Sequence, residues 1–209
     1  MTSLAFRDVR FGYHAERPVL ARLDLTVGPG LTLLTGANGS GKSTLLRLAA
    51  GVERPQEGRV EVDGLDLDRV EVEARRRLAY VPEHPDVSPY ASLRELLVLV
   101  CRLRGEPLPR VAEVLEEAGL VGLDRRGIRE LSHGQRRRAL LAAAWIGDPT
   151  VLLLDEPLEA MDAPMRARIL DWVGRTVGGG GVALASTHTP TDWAGIPHRV
   201  LTLSAGKVV

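Results

Sequence analysis

The chain has 209 residues, enough for one α/β domain with a sizeable core and room for a small subdomain. Its 27 Lys+Arg residues balance 27 Asp+Glu residues, so no charge excess points to a nucleic-acid partner and none is expected. A single cysteine, Cys101, excludes an intrachain disulfide or a cysteine-based metal site and, set among leucines and valines, reads as a small core residue in a reducing, cytoplasmic compartment.

The opening residues show no basic stretch followed by an apolar one, so no leader is expected. Strand-like segments follow at residues 5–11, 23–27 and 31–35, separated by turn residues such as Gly28-Pro29-Gly30. The third runs into Gly36-Ala37-Asn38-Gly39-Ser40-Gly41-Lys42-Ser43-Thr44, which fits G-x-x-x-x-G-K-[ST], and Leu45 to Ala50 then reads as a helix. A triphosphate needs many donors close together. Glycines let backbone N–H groups turn inward with no Cβ in the way, and the helix that starts here points its positive end at the anion. Gly36, Asn38, Gly39, Ser40, Gly41, Lys42, Ser43 and Thr44 are therefore the expected phosphate contacts. Lys42 is placed to reach the β- and γ-phosphates and Ser43 to ligate Mg²⁺.

Two further strands are expected at residues 59–63 and 78–81. The middle of the chain then turns helical. Ser92-Leu93-Arg94-Glu95 reads as a capping box, and Leu93, Leu96, Leu97 and Val100 follow at helical spacing. Arg94 and Glu95 interrupt this apolar run, which falls well short of the ~20 residues that cross a bilayer. Any membrane span must then come from another chain. A second helix carries Val111, Val114, Leu115 and Ala118, with Gly119 as its stop, and a third is expected over residues 134–146. The loop 85–91, with two prolines and little periodicity, is expected to bear an apolar docking patch near Val87 and Tyr90. The arginine runs 75–77, 125–126 and 136–138 read as solvated helix faces or helix ends; the last could also pair with acids across an interface.

Strands return at residues 151–154, 182–186 and 200–203, with a helix carrying Met165, Ile169, Trp172 and Val173 on one face between them. The predicted fold is α/β. It is a phosphate-loop NTPase core with a mainly parallel sheet, an N-terminal antiparallel β layer and a helical subdomain. All of it forms a single domain, residues 1–209, with the subdomain inserted at roughly 84–145. In Val151-Leu152-Leu153-Leu154-Asp155-Glu156-Pro157 the apolar run suits a strand buried on both faces. Its acids then lie at the C-terminal end, where open α/β sheets bind ligands. Asp155 is placed to hold Mg²⁺ through water and Glu156 to polarise an attacking water.

The order of phosphate loop, Leu131-Ser132-His133-Gly134-Gln135, apolar strand with Asp155-Glu156-Pro157, and His188 after a later strand resembles the ATP-binding-cassette family over nearly the whole chain. The resemblance implies an Mg²⁺-dependent ATPase, ATP + water to ADP + phosphate. It implies that Tyr13 stacks on adenine, and that Ser132, Gly134 and Gln135 meet the ATP held by a second copy of the domain. It makes Asp162 the acid of a loop crossing the dimer interface and His188 the histidine that senses the γ-phosphate. Lys42, Glu156 and His188 are then the catalytic set, and Ser43, Glu83 and Asp155 the metal ligands. Two positions depart from the pattern. Glu83 stands where the family usually has glutamine, and His133 replaces the first of two glycines. The partners implied are an integral membrane transporter subunit and a second cassette, identical or not. The implied location is peripheral, on the cytoplasmic face of a membrane. A nucleic-acid-directed ATPase and a cassette that binds ATP without hydrolysing it remain as alternatives; the latter is set against the presence of Glu156 and His188.

Overall fold

The computed structural model describes every residue except Met1, Ala15, Glu16, Val70, Pro85 and Asp86. The first strands alternate as a half-covered sheet should. β1 (Leu4–Phe11) buries Leu4, Phe6, Val9 and Phe11 and turns Arg7, Asp8 and Arg10 outward. β2 (Leu20–Val27) pairs with it antiparallel, Leu4 opposite Val27 and Phe11 opposite Leu20. β3 (Gly30–Thr35) leads through the phosphate loop into α1 (Lys42–Ala49). β4 (Glu57–Val62) and the two-residue β5 (Leu65–Asp66) return to the first layer, giving an antiparallel sheet in the order β2-β1-β4-β5. This is the expected N-terminal layer. A short α2 (Glu71–Arg76) then hands the chain to β6 (Leu78–Val81).

Three helices separate β6 from the next strand. α3 (Leu93–Arg104) starts on the predicted capping box: Ser92 Oγ accepts from the Glu95 N–H at 3.2 Å, and Glu95 Oε2 accepts from the Ser92 N–H at 2.7 Å. It stops at Gly105, whose φ of 77° only glycine adopts freely. α4 (Arg110–Glu117) ends at Ala118 with Gly119 left-handed behind it, and a 3₁₀ turn at Ile128–Glu130 precedes α5 (His133–Ala144).

The chain then completes the second sheet with β7 (Val151–Asp155), α6 (Ala163–Gly178), β8 (Val182–Ser186), a 3₁₀ turn at Pro190–Trp193, β9 (His198–Ser204) and β10 (Lys207–Val208). The strand order is β10-β9-β3-β8-β7-β6. It is parallel from β9 to β6, with β10 folded back antiparallel on β9. The mainly parallel sheet is thus as expected.

β7 shows why its sequence is apolar throughout. Leu152 and Leu154 enter the core shared with α3 to α6, whereas Val151 and Leu153 enter the one shared with α1 and the antiparallel layer. Both faces are covered, and each buried leucine contributes about 1.5–3 kcal/mol. Parallel pairing brings the C-terminal ends of β3, β6, β7 and β8 to one edge, where the chemistry-bearing residues emerge. Among the described residues no helix is long and apolar enough to cross a membrane.

Candidate functional site

The phosphate loop is shaped by glycines at backbone angles that other residues adopt only at a cost. Gly36, Gly39 and Gly41 have φ of 142°, 75° and 106°. A Cβ on Gly36 would stand 2.3 Å from the Leu203 carbonyl oxygen, and one on Gly41 2.9 Å from Val19 Cγ1. Gly41 caps α1, whose first turn holds no acid, so its free N–H groups and dipole favour an anion. Lys42 is buried and donates to the carbonyls of Gly36 at 2.9 Å and Ala37 at 3.3 Å. Ser40 Oγ is buried with no hydrogen-bond partner.

The opposite wall is built by the ends of β7 and β8. Asp155 and Ser186 are paired across the two strands and buried. Ser186 Oγ donates to Asp155 Oδ1 at 2.6 Å and accepts the Glu156 N–H at 2.9 Å. Glu156 itself has φ of 48°, a left-handed conformation that costs a non-glycine residue about 1–2 kcal/mol. Its carboxylate is mostly buried, and desolvation pushes its pKa above the ordinary carboxylate value, with the nearby His188 pulling the other way. His188 Nε2 lies 3.4 Å from Glu156 Oε1, and the imidazole is about half exposed.

Between the walls lies an open cleft of about 690 Å³. Tyr13, Asn38, Gly39, Gly41, Lys42, Ser43 and Thr44 line one side; Glu83, Asp155, Glu156 and His188 line the other. Part of the predicted set, from the early and the late strands, thus meets in one place. Tyr13 is half exposed at the rim, its ring edge-on to Phe11 and its hydroxyl 3.5 Å from Thr44 Oγ1 and 3.3 Å from an Arg47 guanidinium nitrogen. Glu83 takes the cleft position, while neighbouring His84 points to solvent with Nε2 3.6 Å from Glu83 Oε1. Gly36 and Ser40 line an adjoining hollow behind the loop.

The residues suit MgATP on their own chemistry. Glu83, Asp155, Glu156 and Glu159 face a cleft with one lysine, so a triphosphate fits only with a divalent cation between the charges. Ser43, Asp155 and Glu83 offer the hard oxygen ligands that Mg²⁺ takes. Among the described residues no three His, Cys, Asp or Glu groups could hold a metal by themselves.

Ser132, Gly134, Gln135 and Asp162 do not line this cleft. Ser132 caps α5: its Oγ accepts from the Gln135 N–H at 3.2 Å, while Gln135 Oε1 accepts from the Ser132 N–H at 2.9 Å. His133 begins the helix and carries no positive φ, so the missing glycine costs no strain there; nothing stands within 4 Å of a Cβ on Gly134. Asp162 caps α6 through the Met165 N–H at 3.2 Å and pairs with Arg138 at 2.5 Å.

The run 136–138 does not form the solvated face expected of it. Arg137 is 3 % exposed and donates to the backbone carbonyls of Asp155, at 3.3 Å, and of Glu156. Sequence reading also passed over Ser186 and Glu159. A hydroxyl at the C-terminal end of a strand beside the acidic one was the available signal for Ser186.

Comparison with known proteins agrees with this geometry. Residues 20–159 match the family model described as ABC transporter. The daunorubicin resistance ATP-binding protein DrrA3 of Streptomyces coeruleorubidus is 34% identical over 201 residues, covering 94% of this chain and 64% of its own. A sulfate/thiosulfate import ATP-binding protein, CysA of Mycobacterium bovis, is 35% identical over 195 residues, 90% of this chain and 55% of its own. The cytochrome c biogenesis ATP-binding export protein CcmA 2 of Salmonella paratyphi A is 35% identical over 193 residues, 92% of this chain and 93% of its own. Among solved structures, an ATP-binding subunit of an ABC transporter superposes with a TM-score of 0.86 at 24% identity, over 98% of this chain and 87% of that one. The fold is that of an ATP-binding cassette, and the cleft carries its phosphate loop. The chain belongs to the ABC transporter family of ATP-binding proteins. It spans less than two thirds of the length of the first two relatives named and nearly all of the third.

Proposed function

We propose that this chain is an ATP-hydrolysing subunit that drives a separate membrane-spanning transporter through ATP-dependent pairing of cassettes. In this reading residues 1–209 act as one nucleotide-binding domain, with the helices between β6 and β7 as its subdomain, on the cytoplasmic face of a membrane. The second cassette is another copy of this chain or a related one.

The observation that carries the proposal is a divided site. The cleft holds Lys42, Ser43, Asp155, Glu156 and His188, while the helix start at Ser132 and Gly134 stands outside it. A second copy could bring its own α5 start to the open side of the nucleotide. The loop N–H groups and Lys42 would hold the β- and γ-phosphates, and Tyr13 would stack on the base. Mg²⁺, bound by Ser43, Asp155 and Glu83, would neutralise charge on the transferring phosphoryl group. Glu156 would orient a water and take its proton as the water oxygen bonds to the γ-phosphorus and the bond to the β-phosphate oxygen breaks. His188 would donate to the γ-phosphate.

A membrane partner could dock near Tyr90, which is 78% exposed with the Arg129 guanidinium 5.5 Å from its ring centre. Val87 packs partly against the helical core, so Tyr90 is the better half of the expected patch; Pro85 and Asp86 of that loop lie outside the described residues.

Lys42→Ala tests the site. Removing the loop's one side-chain cation should weaken ATP binding by about a hundredfold or more, read by nucleotide titration. Affinity and turnover like the wild type would contradict the assignment.

A further inference from the structure

α5 does more than present its first turn to solvent. One turn in, Arg137 points inward and is 3 % exposed, while Arg136 and Arg138 beside it stay partly exposed. The buried guanidinium donates to the carbonyls of Asp155 and Glu156. Ser186 Oγ holds the N–H of the same glutamate at 2.9 Å. Glu156 is thus gripped at both of its peptide groups, and it is the residue with a left-handed φ of 48°. Two hydrogen bonds on either side of one Cα fix the dihedrals that decide where the carboxylate points.

A buried cation needs a reason to stay charged and buried. Burial lowers the pKa of Arg137, and the carboxylates of Glu159, Glu83, Glu156 and Asp155 oppose that by raising it. These are the four acids that line the cleft. The arginine therefore sits behind the acidic wall as a counter-charge.

We propose that Arg137 is a positioning residue for hydrolysis: it holds the Glu156 backbone in the conformation that aims the carboxylate at the attacking water. The inference rests on the proposed ATPase function. It also makes α5 a physical link between the helix start at Ser132 and the base of the same chain.

The test compares the wild type with Arg137→Gln and Arg137→Lys in the full chain. Arg137→Gln should lower kcat about 10- to 100-fold while leaving ATP affinity within about threefold, because the phosphate loop is untouched. Arg137→Lys, which keeps the charge but not the planar fork, should recover part of that loss. Hydrogen exchange gives a second reading that needs no turnover: the Glu156 amide should exchange at least about tenfold faster in Arg137→Gln, with the interior of β7 still protected. Should Arg137→Gln not fold, Arg137→Lys carries the test, with an intermediate kcat and faster exchange at Glu156. Wild-type kcat and wild-type exchange would overturn the proposal, as would equal losses of affinity, turnover and protection throughout α5. If the wild-type chain itself hydrolyses no ATP, the ATPase reading fails, and exchange at Glu156 alone decides the role of Arg137.

Discussion

Glu156 combines two costs at one position: a left-handed backbone and a buried carboxylate whose Oε1 meets His188 Nε2 only at 3.4 Å. A raised pKa means that the folded chain holds this proton more tightly than the unfolded chain does. The ionised form is then a liability above the raised value, and that liability fades as pH falls through it. Glu156→Gln should therefore raise the melting temperature by a few degrees near neutral pH, with the gain shrinking toward acid, as thermal unfolding at several pH values would show. The acid limb of the wild-type kcat/KM profile, which reports the free chain, should likewise lie above the ordinary carboxylate value of 4.5. A limb at or below that value would contradict the burial argument. The phosphate loop and the two acids were legible as residues because their chemistry is written in short local patterns, whereas His188 was singled out only by the family resemblance. Arg137 and Ser186 were not legible. Their roles come from contacts between α5, β7 and β8 that no local spacing encodes, and an arginine among arginines looks solvated until the helix is seated.

Two helix starts combine a cap seen in the structure with a proposed interface role. Ser132 and Asp162 are N-caps in this chain, and both are expected at a cassette interface. Ser132→Ala removes the cap and should cost about 1 kcal/mol. Ser132→Asp separates the two roles. Aspartate caps a helix as well as serine does, so melting should hardly change, yet its carboxylate would face the partner's triphosphate and abolish ATP-driven pairing. Normal pairing in Ser132→Asp would remove Ser132 from the nucleotide contacts. The helices themselves were legible from capping boxes and stop glycines, which act within a turn. β5, α2 and β10 were not. Two-residue strands and a six-residue polar helix carry too few side chains for a periodic pattern, and tertiary pairing with β4, β6 and β9 decides them. β2 starts at Leu20 because Leu20 pairs with Phe11, a constraint from the partner strand.

At the scale of the molecule, the parallel sheet collects the ends of β3, β6, β7 and β8 at one edge, and the buried faces of β7 lock that edge to both cores. The fold class was legible because runs of apolar residues, a phosphate loop and alternating helices leave few ways to wind the chain. Ser132 and Gly134 stand apart from the cleft that holds Lys42 and Glu156. The central claim is that a second cassette closes it and that hydrolysis reopens it. Light scattering on wild type and Glu156→Gln with ATP or ADP tests this most directly. Glu156→Gln leaves the phosphate loop and the Mg²⁺ ligands in place but removes the base, so uncleaved ATP should hold two copies together. The account predicts a dimer for Glu156→Gln at saturating MgATP and a monomer for both proteins with ADP. A Glu156→Gln chain that binds ATP and stays monomeric would contradict closure of the site by a second copy of this chain.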